Sequence, residues 1–313
     1  MKPGSLFDRE HRVTREVFEA ATEYRDASIR HQIEAVADHI RNANQTGKPI
    51  ILAMGAHAVK NGIGPRIEHL FESHHFDHLA TNGAALVHDF ELAACGGTSE
   101  HVAKNLANGT FGCWRETWQF VEACLDLSES SNHNLGIGAA AGHILQQHHT
   151  YHQAIQYPET SLFGGIERNN GTATVHPQLG QDVYFQNPHL DWSEFGAAAA
   201  TDWYDFVRTV ADLDGGGVFI SMGSDVMAPM IFEKAIACAR GTGLCGLGSD
   251  FHIVVNDIKE GAWDWSNGEP PESHPAYYQR FNKTFSRVGA TSHTYVQADN
   301  RAFINELIAE LDR

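Results

Sequence analysis

The stretch of residues 51–91 constrains the fold more than any other part of the chain. It reads as an apolar strand ending in a glycine loop, an amphipathic helix, and a second strand ending in another loop of small residues. Ile63, Ile67 and Leu70 keep helical spacing, so the helix is expected to cover one face of a sheet. This βαβ pattern is typical of open α/β sheets, which bind ligands at the carboxyl ends of their strands. Plain strand-to-helix turns would use the same small residues, so the pattern alone leaves both interpretations open.

Strands and helices alternate along the rest of the chain. Further strands are predicted at residues 172–176, 217–221, 253–255 and 292–296, with helical patterns between them. One long helix is predicted over residues 13–44. The alternation predicts a doubly wound, mainly parallel α/β sheet with helices on both faces. Because no internal repeat or clear linker is present, we expect an N-terminal helical segment (1–48) followed by a single α/β domain (49–313).

The charge and cysteine content exclude several classes of protein. Lys and Arg number 22 against 39 Asp and Glu, a formal net charge of −17 that repels nucleic acid and anionic lipid. No apolar run reaches the ~20 residues of a membrane helix, and the N-terminus lacks the pattern of a signal peptide. The five cysteines are odd in number and form no C-x-x-C, which is typical of reduced thiols. We therefore expect a cytoplasmic protein that binds neither nucleic acid nor membranes.

Several segments are similar, in order, to those of one enzyme family. L-A-M-G-A-H-A-V-K-N-G-I, a helix and A-T-N-G-A-A-L-V-H-D resemble the strand–loop–helix–strand of deoxyhypusine synthase. S-L-F-G-G-I-E-R-N-N-G-T-A-T-V-H-P-Q-L-G-Q-D and G-G-V-F-I-S-M-G-S-D-V-M resemble later segments, so that the similarity covers roughly residues 49–311. The resemblance implies a Rossmann-like, NAD-binding fold in a homotetramer that acts on a small-molecule substrate.

The resemblance also implies the residues of a cofactor site. The positions that match the NAD-binding loops of the family are Gly55, Ala56, His57, Thr81, Asn82, Gly83, Ala84, Asp182, Gly223 and Ser224. The family's paired glutamates are Val87 and His88 here, and its spermidine-binding histidine is absent after the glycine-rich turn. We therefore expect NAD-dependent oxidation of an amine or alcohol, with or without group transfer, and not deoxyhypusine synthesis. The alternatives are a non-catalytic nucleotide-binding or regulatory protein and a metal-dependent hydrolase.

His88 and Asp89 are the catalytic candidates. A histidine tuned by an acidic neighbour at the end of a strand serves as a proton shuttle or a ligand contact. In the other interpretation, Asp89 is the N-cap of the following helix and His88 lies in the loop. The two interpretations do not exclude each other.

Lys283 and a group of histidines are further candidates. A lysine between Phe281 and Phe285 forms a Schiff base only if its amine is desolvated, and otherwise it is an ordinary surface lysine. Arginines flank it, and we predict that Lys283 carries no covalent intermediate. The histidines could bind a metal through i,i+4 spacing, although a solvated or subunit-facing helix surface is favoured; they are His143, His148, His149 and His152.

Overall fold

The chain folds into two compact units, and the computed structural model describes residues 2–147, 155–246, 248–261 and 263–313. Unit 1 comprises Met1–Ala21, Ala56–Glu68 and Asn82–Trp203, and unit 2 comprises Thr22–Gly55, His69–Thr81 and Tyr204–Arg313. Each unit is therefore assembled from segments that are distant in sequence. The predicted boundary at residue 48 stays a prediction.

A parallel sheet forms the centre of unit 2. Its strands lie in the order β3 (His78–Thr81), β2 (Ile50–Met54), β6 (Gly217–Met222), β7 (Phe251–Asp257) and β8 (Ser292–Gln297). Every residue of β2, β3, β6 and β7 is buried. Continuous burial, without the alternation of a half-exposed strand, is typical of parallel sheets covered on both faces. The predicted mainly parallel α/β sheet is confirmed.

The remaining elements are short strands and helices. Unit 1 contains the strands β1 (Val13–Thr14), β4 (Gly97–Thr98) and β5 (Thr172–Val175). The helices are α1 (Val17–Glu23), α2 (Arg30–Thr46), α3 (His57–Lys60), α4 (Gly64–Glu72), α5 (Gly83–Cys95), α6 (Val102–Ala107), α7 (Arg115–Ser130), α8 (Ile137–Gln147), α9 (Leu162–Arg168), α10 (Trp192–Ala211), α11 (Met227–Gly241), α12 (Arg280–Phe285) and α13 (Asn300–Leu311). Within the described ranges, none of these helices combines the length and apolar character that crossing a bilayer requires.

Helix α5 is the buried centre of unit 1. Asn82 caps its first turn, because its side-chain oxygen accepts a hydrogen bond from the Ala85 amide at 3.0 Å. Gly96, in the left-handed conformation with φ +71°, ends it. His88 and Asp89 therefore lie inside a helix. The predictions that they end a strand, or that Asp89 caps the next helix, are wrong, because Asn82 already provides the cap just after β3 ends.

Residues 13–44 do not form the one long helix that was predicted. Residues 13–14 form a strand that pairs antiparallel with β4, and the helical pattern is interrupted between Glu23 and Ala27. Asp26 causes the interruption: its carboxylate accepts hydrogen bonds from the amide and hydroxyl of Ser28, which compete with a continuous helix. The long stretch of the predicted helix is realised only in α2, which begins at Arg30 with Ile29 as its N-cap residue.

Candidate active site

Unit 1 contains a cavity of about 500 Å³ that is lined by several charged and polar side chains. The N-terminal segment, α3, α5, the stretch before α7 and the stretch after β5 all contribute to its wall. The polar residues that line it are Arg9, Arg12, Lys60, His88, Ser99, Glu91, Glu100, Gln181 and Asp182. Three residues predicted from sequence, namely Ala84, His88 and Asp182, share this wall.

A buried ion pair joins the N-terminal segment to α5 beside the cavity. The Arg9 guanidinium donates to both carboxylate oxygens of Glu91, at 2.8 and 2.7 Å, and each side chain is only 3% exposed. Thr98 and Thr117 donate their hydroxyl protons to the same carboxylate at 2.6 and 3.2 Å. Burial raises the pKa of Glu91, but the charge and hydrogen bonds of Arg9 outweigh it and the net pKa is lowered. Glu91 is therefore an ionised acceptor.

The Thr98 hydroxyl fixes the tautomer of His88. The single hydroxyl proton of Thr98 is donated to Glu91, so its oxygen can only accept from His88 Nδ1, which lies 2.7 Å away. We therefore assign the proton of the neutral imidazole to Nδ1. None of the described residues forms a hydrogen bond with Nε2, and the ring lines the cavity. His88 thus presents an unpaired lone pair to a ligand.

The surroundings keep His88 neutral. Burial lowers the pKa of His88 to about 4, against the opposing charge of Glu91 and with the help of the charges of Lys60, Arg9 and His57. At physiological pH the imidazole is therefore a proton acceptor. Any anion that bound beside it would favour the imidazolium and raise this pKa.

Asp89, the other predicted catalytic residue, supports the fold. Its carboxylate accepts hydrogen bonds from the Ser161 hydroxyl and the Leu162 amide, both at 2.7 Å, and from the Phe163 amide at 3.2 Å. Asp89 therefore caps α9 from the side of α5. Burial raises the pKa of Asp89 to about 6 in spite of these donors. Its side chain is not among those that line the cavity.

Asp182 forms another part of the cavity wall, and Gly83 packs against it. One carboxylate oxygen of Asp182, Oδ2, accepts from the Gln178 amide at 2.9 Å and the Tyr184 hydroxyl at 3.0 Å. Oδ1 takes no hydrogen bond from the part of the chain that the structure describes. Burial raises the pKa of Asp182. A Cβ atom at Gly83 would lie 2.1 Å from the Tyr184 hydroxyl and 2.6 Å from the Asp182 carboxyl carbon, so only glycine fits there.

The other predicted cofactor residues of unit 1 lie at helix starts. Ala56 precedes α3, His57 is its exposed first residue, and Asn82 caps α5.

The predicted cofactor residues of unit 2 gather at the carboxyl ends of its strands. The Gly55 amide donates to the Met222 carbonyl at 3.2 Å, and a Cβ on Gly55 would lie 2.4 Å from the Gly223 carbonyl oxygen. Thr81 donates its hydroxyl proton to the Met54 carbonyl at 2.9 Å. Gly223 has φ +53°, and the buried Ser224 hydroxyl accepts from the Ala228 amide at the start of α11. These contacts are those of a tight turn, the simpler of the two interpretations of the glycine loops.

Sequence analysis did not identify most residues of the site. Arg9, Arg12, Lys60 and Glu91 were not among its candidates, and no local pattern connects Arg9 with Glu91, 82 positions later. One available signal was the i,i+3 spacing of His88 and Glu91, which puts both side chains on one face of a helix.

Lys283 and the histidine group lie elsewhere. The Lys283 ammonium donates to the Tyr277 hydroxyl at 2.5 Å and lies 3.8 Å from the centre of that ring. Phe281 and Phe285, the proposed apolar wall, are buried in unit 2. His143 pairs with Glu167 at 3.7 Å, whereas His148, His149 and His152 lie outside the described residues. In the described ranges no three metal-ligating side chains converge.

Comparison with known proteins gives matches to solved structures alone. The sequence matches no family model and no curated protein. The structure of unliganded AgrE matches 91% of this chain and 33% of that chain, with a TM-score of 0.53 and 13% identity. The ternary complex of AgrE with ornithine and NAD+ matches 92% of this chain and 34% of that chain, with a TM-score of 0.51 and 13% identity. The chain thus spans about a third of the length of AgrE.

A third structure matches the chain end to end. A protein described as LOR/SDH from Methanococcus maripaludis S2 matches 100% of this chain and 73% of that chain, with a TM-score of 0.50 and 14% identity. A structure described as a deoxyhypusine synthase, from Entamoeba histolytica, reaches a TM-score of only 0.43 at 13% identity. At such identities the likeness is one of fold: the chain shares the α/β fold of AgrE and of the LOR/SDH protein.

Proposed function

We propose that the protein is an enzyme that binds NAD and oxidises a small-molecule amine or alcohol. The observation that carries the proposal is the meeting of a predicted catalytic residue, His88, and two predicted cofactor residues, Ala84 and Asp182, on the wall of one cavity. The shared fold with AgrE, a protein solved with ornithine and NAD+, supports it further. A strongly perturbed pKa in a cleft is typical of functional sites.

The residues on this side of the cavity fit a nucleoside. Asp182 Oδ1 is an unoccupied acceptor for a sugar hydroxyl, while its partner oxygen is held by two protein donors. Ala84, which lines the cavity, carries only a methyl group, which lets a ligand approach the start of α5 closely. NAD+, when bound, supplies the acceptor for the two electrons of the oxidation.

His88 is the residue that we expect to handle the proton. Because Nδ1 is held by Thr98, Nε2 is the atom that takes the proton from the hydroxyl or amino group of the substrate. Thr98 and Glu91 act through His88 as positioning residues, since they set its tautomer and stabilise the imidazolium that forms. Arg9 holds Glu91 ionised for this purpose.

Calorimetric titration of NAD+ into the wild-type protein tests the proposal. Asp182→Ala should weaken binding by roughly 1.5–3 kcal/mol through the loss of a charge-assisted hydrogen bond. Asp191→Ala is the matched control, because Asp191 only caps α10 through the amides of Ser193 and Glu194. NAD+ at about 100 times its dissociation constant should also stabilise the fold by roughly 2.7 kcal/mol.

Two outcomes would contradict the proposal. Equal losses in the Asp182 and Asp191 variants would remove the cofactor assignment. NAD+ binding without any formation of NADH from a panel of amines and alcohols would favour the alternative of a non-catalytic nucleotide-binding protein.

A further inference from the structure

Two cationic side chains on the cavity wall have no partner among the residues that the structure describes. Arg12 comes from the N-terminal segment and Lys60 is the last residue of α3. Across residues 2–147, 155–246, 248–261 and 263–313, neither side chain forms an ion pair or a hydrogen bond with another residue. In a protein with a net charge of −17, free cations that face a cavity need an explanation.

The other charges of the wall are already neutralised or held by protein groups. Arg9 is paired with Glu91. The Glu100 carboxylate accepts from the Gly112 amide and the Trp114 indole, both at 3.0 Å, and from the Asn105 amide group at 2.5 Å. Among the described residues, the cationic donors that remain for a ligand are therefore those of Arg12 and Lys60, and the Ser99 hydroxyl is an uncharged donor without a partner.

The cavity also offers a free acceptor beside these cations. His88 Nε2 lacks a donor from the described residues, and the His88 ring lines the same wall. A ligand that satisfied Arg12, Lys60 and His88 would carry an anionic oxygen pair and, separately, a hydrogen-bond donor. A guanidinium binds a carboxylate through two parallel hydrogen bonds, and an ammonium adds a compact charge.

We infer that the cavity of unit 1 binds a small carboxylic acid with an amino or hydroxyl group, the carboxylate on Arg12 and Lys60 and the donor facing His88. The inference rests on the proposed function, because it names the substrate class of the same site. The negative charge would also act on His88 and raise its pKa toward neutrality, where it is a better base.

The test uses the intact protein without NAD+, with histidine ring nitrogens labelled for NMR. The probes are 2-hydroxy and 2-amino carboxylates of two to six carbons, each beside its uncharged primary amide, and inorganic pyrophosphate as a mimic of cofactor phosphates. We expect at least one carboxylate to shift the His88 signals and raise the pKa of His88, and its amide to do neither. Arg12→Gln/Lys60→Gln should weaken that binding at least about tenfold.

Arg15→Gln/Lys104→Gln is the matched control. Arg15 lies over the Tyr157 ring at 4.4 Å and Lys104 binds Glu10 at 3.1 Å, so the variant removes two cations of unit 1 that do not line the cavity. Carboxylate affinity should be unchanged in it. Circular dichroism establishes that both variants fold.

The remaining outcomes separate this inference from the proposed function. Equal binding of acids and amides, or no binding of any acid to the wild type, would overturn the inference. If pyrophosphate and NAD+ affinity fell in Arg12→Gln/Lys60→Gln while carboxylate affinity did not, the cations would belong to the cofactor, which also overturns it. Carboxylate binding by a wild-type protein that ignores NAD+ would support the carboxylate site and refute the proposed function.

Discussion

The two units bury very different kinds of side chain. The centre of unit 2 is a set of apolar strands, and Asp257 is the one buried carboxylate or cation among its described residues. Unit 1 buries Arg9, Asp89 and Glu91, each held by several hydrogen bonds. Buried charge costs free energy and is a poor source of stability compared with apolar packing. Unit 1 therefore gives up stability in order to position charged groups, which is what a site requires.

The largest expected effect comes from breaking the buried ion pair. Arg9→Met leaves the Glu91 carboxylate buried and unpaired, and should lower the free energy of unfolding by roughly 3–5 kcal/mol in urea titrations. Arg208→Met is the matched control, because Arg208 and Asp205 form an exposed i,i+3 pair in unit 2 and the loss should be below about 1 kcal/mol. Comparable losses in the two variants would remove the distinction between the units.

A second variant distinguishes the cost of the unpaired Glu91 charge from the cost of lost side-chain packing. Arg9→Met/Glu91→Leu removes both charges, so that much of the stability lost in Arg9→Met should return, while the His88 site loses its order. If the double variant is as unstable as the single one, packing and not the unpaired charge is the cause.

The next effect is a dependence on pH. The pKa of His88 is about 4 in the folded protein against 6.5 for a free histidine, so the unfolded chain binds the proton first as pH falls. Stability is therefore lost between about pH 6.5 and 4. The side chain of His88→Asn cannot take the proton. As the pH falls from about 6.5 to 4, the free energy of unfolding of this variant relative to wild type should therefore increase by roughly 3 kcal/mol.

Because Asp89 also titrates in this pH range, the stability of His88→Asn has to be compared with that of wild type at each pH. The raised pKa of Asp89 makes the folded state bind a proton between about pH 6 and 4, which stabilises it and partly masks the effect of His88 in the wild type. His31→Asn, an exposed histidine of unit 2, is the control and should follow the wild-type curve. A His88→Asn curve parallel to wild type would contradict the assignment of a buried neutral His88.

The smallest expected effect is the difference in the free energy of unfolding between two substitutions that nearly conserve side-chain shape. Thr98→Val removes the hydroxyl that bridges His88 and Glu91 and should cost roughly 1.5–3 kcal/mol, because a hydrogen bond to a charged group is lost. Ile220→Val in the sheet of unit 2 removes one buried methylene and should cost roughly 0.5–1.5 kcal/mol. Urea unfolding measures both. An equal or larger cost for Ile220→Val would show that polar contacts do not dominate unit 1.

The same contrast decides what could be predicted from the sequence. The strands of unit 2 are continuous apolar runs between glycine turns, and such local patterns predict a parallel sheet without knowledge of contacts. Asp26 and Asn82 shifted helix boundaries because a single side-chain hydrogen bond, invisible to periodicity, starts or stops a helix. The resemblance to one family, and not a local pattern, placed Asp182 with the residues of the second glycine loop, and Asp182 and Ala84 line the same cavity.

The rest of the site could not be predicted, because its contacts are long-range and polar. Glu91 on a helix reads as an ordinary surface acid until Arg9, 82 residues earlier, is known to lie against it. From the sequence, Asp89 was interpreted as the N-cap of the helix that follows it. In the structure it caps α9, more than 70 residues later. Such pairs follow from the tertiary fold and have no signature in the sequence between them.

The sequence separation between Arg9 and its partners affects the order in which unit 1 can fold. Arg9 is synthesised 82 residues before Glu91, and Leu6 is synthesised 110 residues before Glu116, whose carboxylate accepts a hydrogen bond from the Leu6 amide. Closing loops of this length costs entropy that rises with the logarithm of the loop length. The cavity wall is completed only when Asp182 has been synthesised, so Arg9 and Arg12 reach their final surroundings long after their own synthesis.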